Sequence, residues 1–112
     1  MLGLHWLGEA SGCDGAALAD ERVLRRLLLE IPRSASLTPV SDPVVISQAD
    51  GLVGMVLLAE SHASIHTLPA SGTAFVDLFS CARFDPEAVE AVVRAALCPT
   101  ALHSELVERG PR

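Results

Sequence analysis

With 112 residues, half of them apolar, and a formal net charge of −6, the chain has enough material for one domain, residues 1–112, with a modest core. It carries no basic run, which excludes nucleic-acid binding by phosphate neutralisation, and its longest uninterrupted apolar stretch, residues 55–59, is too short to span a bilayer. Three cysteines without framework spacing point to a reducing, cytoplasmic setting.

In chain order, residues 2–9 are apolar enough for a strand, and the start lacks the basic region and small-residue cleavage site of a signal peptide. Gly12, Cys13, Asp14 and Gly15 break that strand, with Asp14 as a helix cap. Leu24, Leu27, Leu28 and Ile31 recur at helical spacing, so one helix is predicted over residues 16–31, ended by Pro32. Pro39 and Pro43 make residues 37–47 an extended edge segment with a turn. Residues 51–59 read as a buried strand, and 63–68 and 73–80 as two more joined by a turn at 69–72. Alternation puts Phe75, Asp77 and Phe79 on one face of the last of these and Ala74, Val76 and Leu78 on the other. Asp85-Pro86 opens a second helix with a stripe of Val89, Val92, Val93 and Ala96. Cys98-Pro99 ends it, and a last strand over 101–107 precedes a frayed tail from Arg109. Runs of strands with two amphipathic helices predict an α+β two-layer sandwich, an antiparallel sheet with both helices on one face.

The chemistry-bearing residues are concentrated in residues 59–67, Ala-Glu-Ser-His-Ala-Ser-Ile-His-Thr, followed by Cys81 in Phe-Val-Asp-Leu-Phe-Ser-Cys. Glu60-Ser61, with His66 five residues after the serine and Cys81 twenty after it, resembles the self-cleavage site of the small prokaryotic S-adenosylmethionine decarboxylases. The resemblance extends from residues 4–9 through Cys13-Asp14 to about Leu106 and is densest over 51–81. It implies an antiparallel sheet with helices on one face, paired into a homodimer; a single small sheet has limited surface on which to bury its apolar residues, which also favours a symmetric partner. It implies cleavage between Glu60 and Ser61 and conversion of Ser61 to a pyruvoyl group. That ketone forms a Schiff base with a small-molecule amino-acid substrate and replaces pyridoxal phosphate, and no metal takes part.

The reaction begins when Ser61 Oγ attacks the Glu60 carbonyl in an N→O acyl shift; loss of the Ser61 α-proton then eliminates the ester, and hydrolysis leaves the ketone. His66 is the acid and base of processing, since imidazole titrates near neutrality. Cys81 is implied by the resemblance as the donor that returns a proton after decarboxylation. Strict alternation separates Ser61 and His66 onto opposite faces, so a bend or bulge is expected near Ser61 or His62. A zinc reading of His62, His66 and Cys81 fails on a strand, where that histidine spacing puts the rings about 13 Å apart. Cys13 and Cys98 read as small packing residues.

The chain also departs from the family. Where the family has a tryptophan that stacks on adenine and a glutamate that holds the ribose, this chain has Leu68 and Ala70. A second family aromatic falls at Ser47 or a near neighbour, a serine that assists processing falls at Val53, and the glycine after the cysteine is Ala82. Losing stacking costs about 1–3 kcal/mol per base by analogy with nucleic acids. These losses predict a basic amino acid, L-ornithine or L-arginine, as the substrate of a pyruvoyl-dependent decarboxylase of polyamine biosynthesis. Asp77 and Glu9 are candidates to meet its distal cation. S-Adenosylmethionine itself, feeding spermidine synthesis, is the alternative reading; an inactive or regulatory homologue is the third.

Overall fold

A computed structural model describes residues 2–111. The elements are β1 (Gly3–Ser11), α1 (Gly15–Leu18), α2 (Glu21–Ser34), β2 (Val44–Gln48), β3 (Gly51–Leu57), β4 (Ser61–Leu68), a 3₁₀ turn (Pro69–Ser71), β5 (Thr73–Ser80), α3 (Pro86–Leu97) and β6 (Ala101–Arg109). The six strands form one antiparallel sheet in the order β2-β3-β4-β5-β1-β6. β1 therefore lies between β5 and β6, and the N- and C-terminal halves interleave.

Alternation sorts the sheet into two faces. One buries Leu4, Trp6 and Ala10 of β1, Val56 of β3, Ala63 and Ile65 of β4, and Ala74, Val76 and Leu78 of β5. Against it pack Leu24, Leu27, Leu28 and Ile31 of α2 and Val89, Val93 and Leu97 of α3. Gly54 lets α2 sit close to β3: a Cβ on it would come within 2.8 Å of Leu28 Cδ1, so that leucine would have to shift to admit one. The other face has no helix on it and exposes Val44, Ile46, Met55, Leu57, Phe75 and Val107. The two-layer sandwich predicted from the pattern is the architecture observed.

Several boundaries differ from the sequence reading. The predicted helix over 16–31 is two helices, because Asp20 accepts from Arg22 N at 2.9 Å and caps a new start, while Asp14 caps the short first helix through Ala16 N. Pro32 does not end α2; it lies in the last turn, and the helix continues to Ser34. The strand over 51–59 stops at Leu57 and alternates between buried and open positions, since only one face is covered. In α3 the buried stripe is Val89, Val93 and Leu97, with Val92 and Ala96 half-buried. Arg109 is no frayed tail: it ends β6, its carbonyl accepts from Leu2 N, and its guanidinium lies 4.7 Å from the Phe79 ring centroid.

Thr67 locks the two layers together. Fully buried, its hydroxyl donates to Leu18 O at 2.8 Å and accepts from Leu52 N at 3.1 Å. Thr67→Val keeps the shape but orphans both groups, so stability should fall by about 1–3 kcal/mol. Urea unfolding of the chain in a Ser61→Ala background, which keeps the backbone continuous, measures this loss.

Candidate active site

Ser61 is the first residue of β4, directly opposite Ser80 at the end of β5. The backbone bends at residues 59–60, so the Glu60–Ser61 peptide, the expected cleavage point, is the corner between β3 and β4. Both sides of that corner are held. Glu60 O accepts from Cys81 N at 3.1 Å. On the other side the Glu60 carboxylate accepts from Thr38 N at 3.0 Å, and Ala59 N donates to Thr38 O at 2.9 Å. Ser61 is half-buried, with its Oγ 3.9 Å from the exposed Cys81 Sγ.

This geometry suits acyl transfer. Addition of Ser61 Oγ to the Glu60 carbonyl carbon builds negative charge on Glu60 O, where the Cys81 amide already points. A fixed donor at that oxygen needs no reorganisation as the charge develops. Sequence reasoning assigned Cys81 a role through its thiol and missed its amide, and it missed Thr38 altogether. Backbone donors leave no residue-type signal.

His66 is elsewhere. β4 pairs with β5 without interruption from Ser61 to Leu68, so the bend or bulge expected between Ser61 and His66 is absent; the bend comes before Ser61. Five residues along an unbroken strand span about 16 Å, and His66 projects from the open face whereas Ser61 follows the phase of the buried Ala63 and Ile65. The structure brings Ser61 to Cys81 and leaves His66 apart from both. Directly opposite His66 stand Val53 on β3 and Phe75 on β5. Its Nε2 is buried without a hydrogen-bond partner among the described residues. A serine at position 53 would sit beside that imidazole; the valine gives it nothing to bond.

Among the other candidates, Leu68, Asp77, Glu9 and His62 share the phase of that open face, whereas Ser47 has the opposite phase. Leu68 ends β4 in phase with His66, and Ala70 is exposed in the 3₁₀ turn. Ser47 lies on the edge strand β2, in register with Leu52. Asp77 Oδ1 is 3.6 Å from His5 Nε2. Burial lowers the His5 pKa, against the upward pull of Asp77. Glu9 is exposed on β1. His62 leans on Phe79, ring centroids 5.9 Å apart. Cys13 packs partly against the core, as expected for a small apolar residue, but Cys98 is exposed and does not. Among the described residues no helix is long and apolar enough to cross a membrane.

Comparison with known proteins matches residues 4–110 to the S-adenosylmethionine decarboxylase family. The S-adenosylmethionine decarboxylase proenzyme of Parasynechococcus marenigrum (strain WH8102) is 41% identical over 98 residues, which cover 87% of this chain and 77% of that one. The proenzyme of Aquifex aeolicus (strain VF5) is 37% identical over 113 residues, covering 97% of this chain and 82% of that one. The crystal structure of the adenosylmethionine decarboxylase from Aquifex aeolicus VF5 superimposes with a TM-score of 0.84 at 33% identity, covering 99% of this chain and 92% of that one. None of these relatives is named an ornithine or arginine decarboxylase. The chain belongs to the S-adenosylmethionine decarboxylase family, enzymes whose pyruvoyl cofactor is made from a serine of their own backbone.

Proposed function

We propose that this chain is the proenzyme of a cytoplasmic S-adenosylmethionine decarboxylase that cuts itself between Glu60 and Ser61 and works as a homodimer, its product serving as aminopropyl donor for spermidine. The observation that carries this reading is Ser61 Oγ beside Cys81 Sγ, with the Cys81 amide on the carbonyl to be attacked. Ser61 Oγ adds to the Glu60 carbonyl carbon, and expulsion of the Ser61 nitrogen leaves an ester. Removal of the Ser61 α-proton expels the Glu60 carboxylate, and water then releases ammonia and leaves the ketone. That ketone supplies an electron sink for decarboxylation. The chain's own residues do the rest: the Thr38 contacts hold the cut end at Glu60, and Cys81 returns the proton at the carbon that lost carbon dioxide.

His66 fits this scheme as a residue supplied by a second copy. In its own chain it is too far from Ser61 to move that residue's protons. The apolar open sheet face that carries it is the surface a two-fold partner would cover, at the ~10 Å spacing of stacked sheets. Sedimentation should show a dimer at tens of micromolar, and a monomer there would refute the pairing.

Two observations favour S-adenosylmethionine over a basic amino acid. Phe75, directly opposite His66 and exposed on the same face, offers a π-surface near the position where Leu68 has lost one. Asp77 Oδ1 already faces the His5 ring at 3.6 Å, which crowds the approach of a substrate cation. The second reading, L-ornithine or L-arginine, rests on Leu68 and Ala70, which offer neither an aromatic face nor a ribose acceptor. Freshly processed protein assayed with S-adenosylmethionine, ornithine, arginine and lysine, each amine product detected by mass, separates the two. Decarboxylated S-adenosylmethionine is the expected product; putrescine or agmatine alone would replace the first reading with the second. Cys81→Ser should cut turnover while still permitting some self-cleavage, and undiminished turnover would remove the thiol from the scheme.

A further inference from the structure

Outside the site already described, the chain brings the segments that carry two of its three cysteines side by side. Asp14 N donates to Leu97 O at 3.0 Å, and Thr100 N donates to Ser11 O at 2.9 Å. These two bonds lie beyond the end of the β1–β6 ladder at Ser11–Ala101 and bracket the cysteines: Cys13 precedes Asp14 and Cys98 follows Leu97. Through the Asp14–Leu97 bond, ordinary bond lengths hold the two cysteine Cα atoms within about 8 Å of each other, so a small backbone adjustment reaches the 4.4–6.8 Å that a disulfide spans. The neighbouring Cys98 thiol is also felt at Cys13, whose pKa is raised first by burial and then by that neighbour.

The backbone at Cys98 is itself unusual. It closes α3 in the left-handed region, at φ 47°, a conformation that glycine or asparagine adopts more readily. A cysteine kept there places an exposed thiol near Cys13 at the cost of strain. The thiol now lies 3.8 Å from Ala95 O. Cys81 cannot compete. Cys13 N is bonded to Gly72 O just before β5 begins, whereas Cys81 follows the other end of that eight-residue strand, roughly 25–30 Å away along the strand.

We propose that Cys13 and Cys98 are a reversible thiol–disulfide pair that leaves Cys81 reduced. Both are free thiols in this structure. Oxidation by a low-molecular-weight disulfide such as oxidised glutathione proceeds by attack of one thiolate on that disulfide. The second thiolate then attacks the mixed disulfide. One S–S bond forms in the protein, one is broken in glutathione disulfide, and two glutathione thiols are released. A consequence rests on the self-cleavage reading: Cys13 falls in residues 1–60 and Cys98 in residues 61–112, so the bond would rejoin covalently the two pieces that cleavage separates.

The test uses the wild-type protein and the uncut Ser61→Ala chain, each equilibrated with oxidised glutathione, trapped with N-ethylmaleimide and mapped without reductant. Both should yield a Cys13–Cys98 bridged peptide, with Cys81 recovered as the alkylated thiol. Wild-type protein should run near 11.8 kDa without reductant and as two pieces after dithiothreitol. Cys98→Ser, a change at an exposed position, should abolish the bridge, as should Cys13→Ala. Glutathione adducts on Cys13 and Cys98 in place of a bridged peptide would overturn the proposal. A bridge in Ser61→Ala alongside an uncut wild type would uphold the pair and defeat self-cleavage instead.

Discussion

Ser61→Ala is expected to give one intact 11.8 kDa chain where the wild type gives two pieces, residues 1–60 and 61–112, the second blocked to Edman degradation. The effect is all-or-none because the serine supplies both the nucleophile and the atoms of the cofactor. Alanine at this position has no oxygen to add to the Glu60 carbonyl. Decarboxylation should vanish with it, a loss on the scale of the ~10⁶-fold or greater accelerations that enzymes achieve. The fold should survive, since Ser61 Oγ makes no hydrogen bond closer than the 3.9 Å approach to Cys81 Sγ. Intact-mass measurement on freshly purified protein decides it. A wild type that remains full length with an unmodified serine would leave a folded, inactive homologue as the better account.

His66→Ala should slow processing by about 10²–10⁴-fold, the usual contribution of a positioned acid or base. The more telling experiment mixes two defective chains. A His66→Ala chain retains Ser61, and a Ser61→Ala chain retains His66. If the imidazole acts on a neighbouring copy, co-expression should restore cleavage of the His66→Ala chain, detected by mass, while each variant alone stays uncut. Cleavage that never recovers in the mixture would place the histidine's action within its own chain and require β4 to distort during the reaction. Val53→Ser extends the same logic: a hydroxyl beside the unpartnered Nε2 should accelerate processing.

The parts of the molecule that could be read from sequence follow physical periodicity. Alternation in β5 separated Phe75, Asp77 and Phe79 from Ala74, Val76 and Leu78 correctly, because one face of that strand is covered and the other is not. Asp85-Pro86 marked the start of α3 because capping and proline chemistry act locally. The break at Asp20 was hidden because an aspartate on the polar side of a helix and one that caps a new helix look alike until the chain direction is known. The spacing of Ser61, His66 and Cys81 identified the family, but their geometry was not local. Ser61 and Cys81 meet because β4 and β5 form a tight hairpin. His66 is remote because the strand between them is regular, a fact that spacing alone does not carry.

The position of β1 between β5 and β6 would set the timing of the proposed self-cleavage. As the chain leaves the ribosome, β1 emerges first yet waits for both of its neighbours, the second of which ends at Arg109. The donor on the scissile carbonyl belongs to Cys81 and arrives only with the turn after β5. On the proposed mechanism the bond at Glu60 would stay inert in a nascent chain until the chain beyond β5 has folded back against it. By then the two products-to-be share three ladders, β3 with β4, β5 with β1 and β1 with β6. Made separately, residues 1–60 would keep only the β2–β3 ladder and residues 61–112 only β4–β5, and β1, which joins β5 to β6, would have no partner in its own piece.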